Sequence, residues 1–141
     1  MNIEDVLFPK SESMGERDWG SEDLLVLIPK VLSFKKIRYN KGQKGGLQYH
    51  HKKNECGYII SGEMLLKYDI GDGKLKERIL KAGDWFHFPT KSVHQEEALT
   101  DLEIIEASTP HFNDRVRVEE DYGLTFDGGL PSTTEDEVEI R

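Results

Sequence analysis

Four side chains in two short segments carry most of the chemistry this sequence offers. Gln48 and His50 stand two residues apart in Gln48-Tyr49-His50-His51-Lys52-Lys53-Asn54-Glu55, and Glu55 closes that run. His94 follows a second run, Gly83-Asp84-Trp85-Phe86-His87-Phe88-Pro89. Alternate side chains of a strand project to one face, so Gln48 and His50 point together. Glu55 returns after a short turn, and His94 arrives from a later strand. An amide oxygen, two imidazoles and a carboxylate suit one divalent transition metal such as Zn, Mn, Fe, Co or Ni. A register shifted by one residue would instead turn Tyr49 and His51 inward and take Gln48 out of the set.

The elements that must position these residues read as strands. Alternating or β-rich stretches occur at Leu24 to Ile28, Val31 to Tyr39, Leu47 to His51, Gly57 to Tyr68, Leu75 to Lys81, Trp85 to Phe88, His94 to Ala98 and Leu102 to Ser108. Turn chemistry separates them at Asn40-Lys41-Gly42, Gly45-Gly46, Gly71-Asp72-Gly73, Ala82-Gly83-Asp84 and Thr90-Lys91-Ser92. The Gly71-Asp72-Gly73 element predicts a hairpin. The one competing helical pattern is weak and lies near Ser21 to Leu27. Many short antiparallel strands at even spacing predict an all-β fold, a small antiparallel β-barrel or jelly roll.

The two segments resemble the two-part cupin signature, which implies the double-stranded β-helix form of that barrel. In the first part Gly46, Gln48, His50, Glu55 and Gly62 match; in the second, Gly83, Pro89 and His94 match. Lys91 stands where a Gly is usual and Ala98 where an Asn is usual. A closer likeness is to the cupin domain of type II mannose-6-phosphate isomerases, without the nucleotidylyltransferase half that accompanies it in bifunctional members. Arg17-Asp18-Trp19-Gly20 is similar to that family's R-P-W-G, and Leu47-Gln48-Tyr49-His50-His51 to its L-Q-x-H-H. The stretch from Asp114 through Val116-Arg117 to Tyr122-Gly123 is similar to its D-x-V-R-x-x-D-x-Y-G. The resemblance favours Gln48 and His50 over His51, and so implies a ligand set of Gln48, His50, Glu55 and His94. It further implies aldose–ketose isomerisation of a mannose-6-phosphate-like sugar phosphate, in which a Lewis-acidic metal polarises the carbonyl. Lys53, where the family has Arg, and Arg117 are the candidates for binding phosphate. Glu55 is needed as a ligand, and no residue is assigned to shuttle the proton. Two other readings are a non-catalytic metal- and carbohydrate-binding cupin, which the departures at Lys53, Lys91 and Ala98 favour, and an Fe(II)-dependent cupin oxygenase.

With 141 residues the chain fits one domain, expected as an arm at 1–20, a barrel at 21–123 and an acidic tail at 124–141. The net charge is −8, and nine acidic against three basic residues from Phe112 onward account for −6 of it. That balance argues against nucleic acid as a partner, while the −2 remaining, with Lys52, Lys53 and Lys91 near the motifs, leaves room for a small anionic or carbohydrate ligand. No apolar run is long enough to span a bilayer, and no basic-then-apolar leader opens the sequence. The single cysteine, Cys56, excludes an intramolecular disulfide framework, fits a cytoplasmic location, and reads as a small buried filler. His87 alternates with Phe86 and Phe88 and so is expected to face outward. An apolar outer face around Leu65 and Ile79, together with an arm carrying Val6-Leu7-Phe8, predicts a homodimer.

Overall fold

The computed structural model describes residues 2–141. After a short helix α1 (Ile3–Leu7), the chain runs through β1 (Glu12–Arg17), β2 (Gly20–Ile28), β3 (Leu32–Tyr39), β4 (Gln48–Tyr49), β5 (Glu55–Ser61), β6 (Glu63–Asp69) and β7 (Leu75–Lys81). It continues through β8 (Trp85–Phe88), β9 (His94–Ala98), β10 (Leu102–Ser108), β11 (His111–Phe112), β12 (Val116–Arg117) and β13 (Glu139–Ile140). Every pairing is antiparallel. One sheet has six strands in the order β1-β2-β3-β10-β5-β8, a second has five in the order β12-β4-β9-β6-β7, and β11 with β13 makes a small two-stranded sheet. The expected all-β jelly roll is therefore the fold. No helix among the described residues is long and apolar enough to cross a membrane.

Period-2 alternation explains how the sheets close on each other. Along β10, Leu102, Ile104, Glu106 and Ser108 are buried while Glu103, Ile105 and Ala107 are not. Ile59, Met64 and Ile104 are completely enclosed, and with Leu66, Leu80, Phe86 and Phe88 they form the apolar half of the interior. Each such side chain contributes roughly 1.5–3 kcal/mol of burial. The long strand expected over Gly57 to Tyr68 is two strands. Gly62 breaks it, with φ at 90° and no room for a Cβ against the Asp101 carbonyl. The weak helical pattern at Ser21 to Leu27 is strand β2, which pairs with β3 from Gly20 to Ile28 with one register shift between Leu24 and Val26.

The ends of the chain are more ordered than their composition suggests. Residues 12–17 of the expected arm form the edge strand β1. In the acidic segment, β13 pairs with β11, Thr133 is buried, and the Arg141 backbone N–H donates to the Pro110 carbonyl at 3.0 Å.

Candidate metal centre

The site is assembled at the junction of the two sheets. Gln48 lies in β4 and is paired directly with His94, the first residue of β9. His50 follows the end of β4, and Glu55 opens β5 after a four-residue turn. His50, Glu55 and His94 are buried, and their ligand atoms all lie within 4.8 Å of one another. Gln48 is half-buried and lines the same cavity. His51 is elsewhere: its ring Nε2–H donates to the Thr133 carbonyl at 2.8 Å, so it faces the C-terminal segment.

The hydrogen bonds on the far side of each imidazole decide what the near side presents. His50 Nδ1 meets the Asp114 carbonyl, and His94 Nδ1 lies 3.0 Å from the Ser92 carbonyl. A carbonyl can only accept, so both Nδ1 atoms carry the proton, and the neutral rings turn a bare Nε2 inward. Those two Nε2 atoms lie 3.0 and 3.2 Å from the same oxygen, Glu55 Oε1. Three lone-pair-bearing atoms thus converge with no proton between them, and a cation resolves the conflict. Protonating His50 would be the alternative. Burial and then the nearby Lys53 charge depress its pKa, outweighing the pull of Glu55. The donor set fits a divalent transition metal, with imidazole nitrogens and a carboxylate oxygen as ligands.

Asp114 holds this arrangement from behind, and nothing in the sequence reading assigned it that task. Its carboxylate accepts the backbone N–H groups of His51, Lys52 and Lys53 at 2.7, 2.9 and 2.8 Å. One residue therefore fixes both the tautomer of His50 and the turn that delivers Glu55.

The two candidates for phosphate lie in different places. Lys53 points into the cavity, with Nζ 2.9 Å from Glu55 Oε2 and 3.9 Å from Glu106 Oε1. Burial lowers its pKa, but the charges of Glu55 and Glu106 outweigh burial and keep it charged. Glu55 is likewise lifted by burial, yet the Lys53 charge beside it helps to bring it well below the usual carboxylate range. Arg117 is not brought to the cavity. Its guanidinium is bound by the Glu119 carboxylate and by the carbonyls of Gly128 and Leu130, and it lies over the Phe126 ring.

Of the remaining wall, the sequence motifs include Trp19 and Gly46, but not Tyr39, Glu96 or Glu106. Tyr39 donates to Glu96 at 3.0 Å, and Trp19 packs on Tyr39 with ring centroids 4.6 Å apart. Burial, then the charge of Glu55, raises Glu106 well above the ordinary carboxylate range and Glu96 to about 7. The cavity encloses about 140 Å³. Pockets that engulf a small molecule start near ~300 Å³, so this one admits only the reacting end of a ligand. Cys56 is not the buried filler its type suggested. Because Glu55 points inward, Cys56 points out and is exposed. His87 faces outward as expected and bonds Asn54 Oδ1 at 2.8 Å.

The sequence pattern of the cupin domain matches residues 35–111, a span that carries all four candidate ligands. The chain belongs to the cupin family. No curated protein matches this cupin by sequence. Among solved structures it is similar to the capsular polysaccharide assembling protein CapF from Staphylococcus aureus, at 19% identity over 95% of this chain and 33% of that one, with a TM-score of 0.63. It is also similar to KdgF from Halomonas sp., at 20% identity over 70% and 86% of the two chains, with a TM-score of 0.60. An RmlC-like cupin from Shewanella frigidimarina is 25% identical over 72% and 85%, with a TM-score of 0.59. This cupin spans about a third of the length of the CapF chain.

Proposed function

We propose that this cupin holds one divalent transition metal on Gln48, His50, Glu55 and His94 and acts there on a carbohydrate, by aldose–ketose isomerisation as in type II mannose-6-phosphate isomerases. The observation that carries the metal is the meeting of two unprotonated Nε2 atoms and one carboxylate oxygen. When bound, such an ion supplies Lewis-acid polarisation of a substrate carbonyl. The protein supplies the rest. Glu106 and the Tyr39–Glu96 pair line the same small cavity and offer carboxyl and phenol groups to hydroxyls and to a migrating proton. Trp19 adds an aromatic wall. The name of one structural relative, a capsular polysaccharide assembling protein, is compatible with a carbohydrate ligand.

Lys53 is already engaged by Glu55, so a phosphate on the ligand is expected to stay outside the cavity, with the reacting carbons at its mouth. That engagement is also what favours the second reading, a cupin that binds carbohydrate without turnover. The test is to load the purified protein separately with Zn, Mn, Fe, Co and Ni. Mannose 6-phosphate and free mannose are then followed by NMR, with oxygen consumption monitored in parallel. Interconversion with fructose 6-phosphate or fructose is the expected result. Saturable sugar binding without interconversion favours the binding module, and oxygen uptake with Fe(II) favours an oxygenase. A protein that takes up no metal overturns all three.

A further inference from the structure

A second hollow opens where the two large sheets part. Strands β7 and β8 follow each other through the turn at 82–84, yet β7 is an edge of the five-stranded sheet and β8 an edge of the six-stranded one. Between these two edges lies a groove of about 870 Å³. Pockets that take up a small molecule run from ~300 to ~1,000 Å³, so the groove has the capacity that the metal cavity lacks. Leu66, Leu80, Phe86 and Phe88 form its floor, and Tyr68 and Trp85 stand at its sides. The Phe86 and Phe88 rings are stacked, with centroids 4.6 Å apart. Stacked rings offer a flat apolar surface that suits another ring. Phe88 also stacks on His94 at 3.9 Å, so its ring is the partition between the groove and the metal centre.

Charge decides what fits there. Arg78 is the central residue of β7 and stands directly opposite Leu66 of β6. Opposed residues share a face, and Leu66 is buried, so Arg78 projects on the inner side, over the apolar floor. The ion-paired arginines are Arg38, Arg117 and Arg141; among the described residues Arg78 has neither a carboxylate partner nor a side-chain hydrogen bond. The two carboxylates bordering the groove stand at its ends and are engaged elsewhere. Asp84, in the turn, accepts the Lys81 N–H at 2.8 Å. Asp69, the last residue of β6, accepts the N–H groups of Gly71 and Gly73 and the Tyr122 hydroxyl. An inward charge on an edge strand also deters a stray strand from pairing. That role needs only water beside the charge and leaves the aromatic floor unexplained. A free guanidinium above stacked rings complements a ligand with one flat apolar end and one carboxylate, which the planar fork of Arg grips.

We infer that the groove between β7 and β8 binds an aromatic carboxylic acid, with its ring over Phe86 and Phe88 and its carboxylate on Arg78. The site is separate from the metal cavity and does not depend on the metal reading. A carboxylate would also coordinate a bound metal, so the test uses the metal-free protein in EDTA. Naphthoate, the probe, should bind saturably in a calorimetric titration. Naphthamide, with the same ring and no charge, should bind at least about tenfold more weakly, the value of a hydrogen bond between charged groups. Arg78→Leu should bring naphthoate down to the level of naphthamide. In NMR spectra of the unmodified protein, naphthoate should shift the Trp85 indole N–H and leave that of Trp19, in the metal cavity, unmoved. The comparison of acid with amide and the Trp85 shift decide the matter even if Arg78→Leu fails to fold. No binding of naphthoate up to its solubility limit, equal affinity for acid and amide, undiminished binding by a folded Arg78→Leu, or shifts confined to the surroundings of Trp19 would each overturn the inference.

Discussion

Lys53 places its ammonium 2.9 Å from Glu55 Oε2 while Glu55 Oε1 faces both imidazoles. The carboxylate is thereby divided between an internal cation and a cation site. Lys53 acts on the site as a fixed charge that keeps Glu55 ionised and aimed.

Removing that ammonium leaves Glu55 and Glu106 facing each other in a closed space. Breaking a buried pair from one side costs about 3 kcal/mol or more. Lys53→Met should therefore lower the urea midpoint of the metal-free protein markedly. Saturating metal at 100 times its Kd should restore about 2.7 kcal/mol. An unchanged midpoint in the metal-free protein would show that Lys53 is not a structural partner of Glu55.

Glu55→Gln acts on both the metal-free and the metal-loaded state. The amide can donate to one imidazole Nε2, but it removes the carboxylate that pairs with the buried Lys53 ammonium, so the metal-free protein should melt at a lower temperature. Metal affinity should fall by more than the ~10–100-fold that outer contacts to a metal site contribute. Calorimetric titration with Zn or Mn, beside a thermal melt without metal, reads both.

Asp114 sets the acid limit. Burial lifts its pKa, but the N–H groups of Lys52, Lys53 and His51 outweigh burial and hold it below its ordinary value of 3.8. A depressed folded pKa contributes stability that is complete above the unfolded value, about pH 4, and is lost as pH falls through the lower folded value. Asp114→Asn should flatten the stability profile below pH 4 and cost about 2 kcal/mol at neutral pH, because the new amide N–H groups face donors. Metal affinity should fall with it, since the Glu55 turn loses its anchor.

Glu106 shares the cavity wall and touches neither imidazole. Glu106→Gln should leave metal uptake intact. If the cavity isomerises a sugar, the variant should lower kcat by roughly 100-fold or more, the effect of losing a positioned proton carrier. An unaltered kcat would assign proton transfer to the Tyr39–Glu96 pair.

Much of the architecture could be read from the alternation of residues, and β7, β8, β9 and β10 begin and end where the pattern places them. Strand parity put Gln48 and His50 on one side, and the cross-strand pairing of Gln48 with His94 is consistent with it. What escaped is long-range. Asp114 lies about sixty residues beyond the turn that it clamps, and no local pattern links a carboxylate to three distant backbone N–H groups. Glu106 did leave a signal, an acid at an inward position of Leu102-x-Ile104-x-Glu106-x-Ser108, where burial demands a partner. Strand β1 has no apolar alternation and forms because β2 offers it an edge. The C-terminal segment is held by backbone hydrogen bonds and buried Thr133, which composition does not encode. Cys56 was misplaced by residue type, when parity from Glu55 would have turned it outward.

Lys91 occupies the turn before His94 with φ at 69°, a left-handed conformation that glycine adopts without strain. Its backbone N–H donates to the His50 carbonyl at 3.0 Å, so this one peptide unit ties together the two halves of the site. The side chain has no part in that bond. The turn keeps its shape whichever residue supplies the peptide, at a cost of about 1 kcal/mol when it is not glycine. Any search string that insists on glycine at position 91 therefore scores a side chain where only a curve in the main chain matters, and it would pass over barrels whose metal-binding geometry is intact.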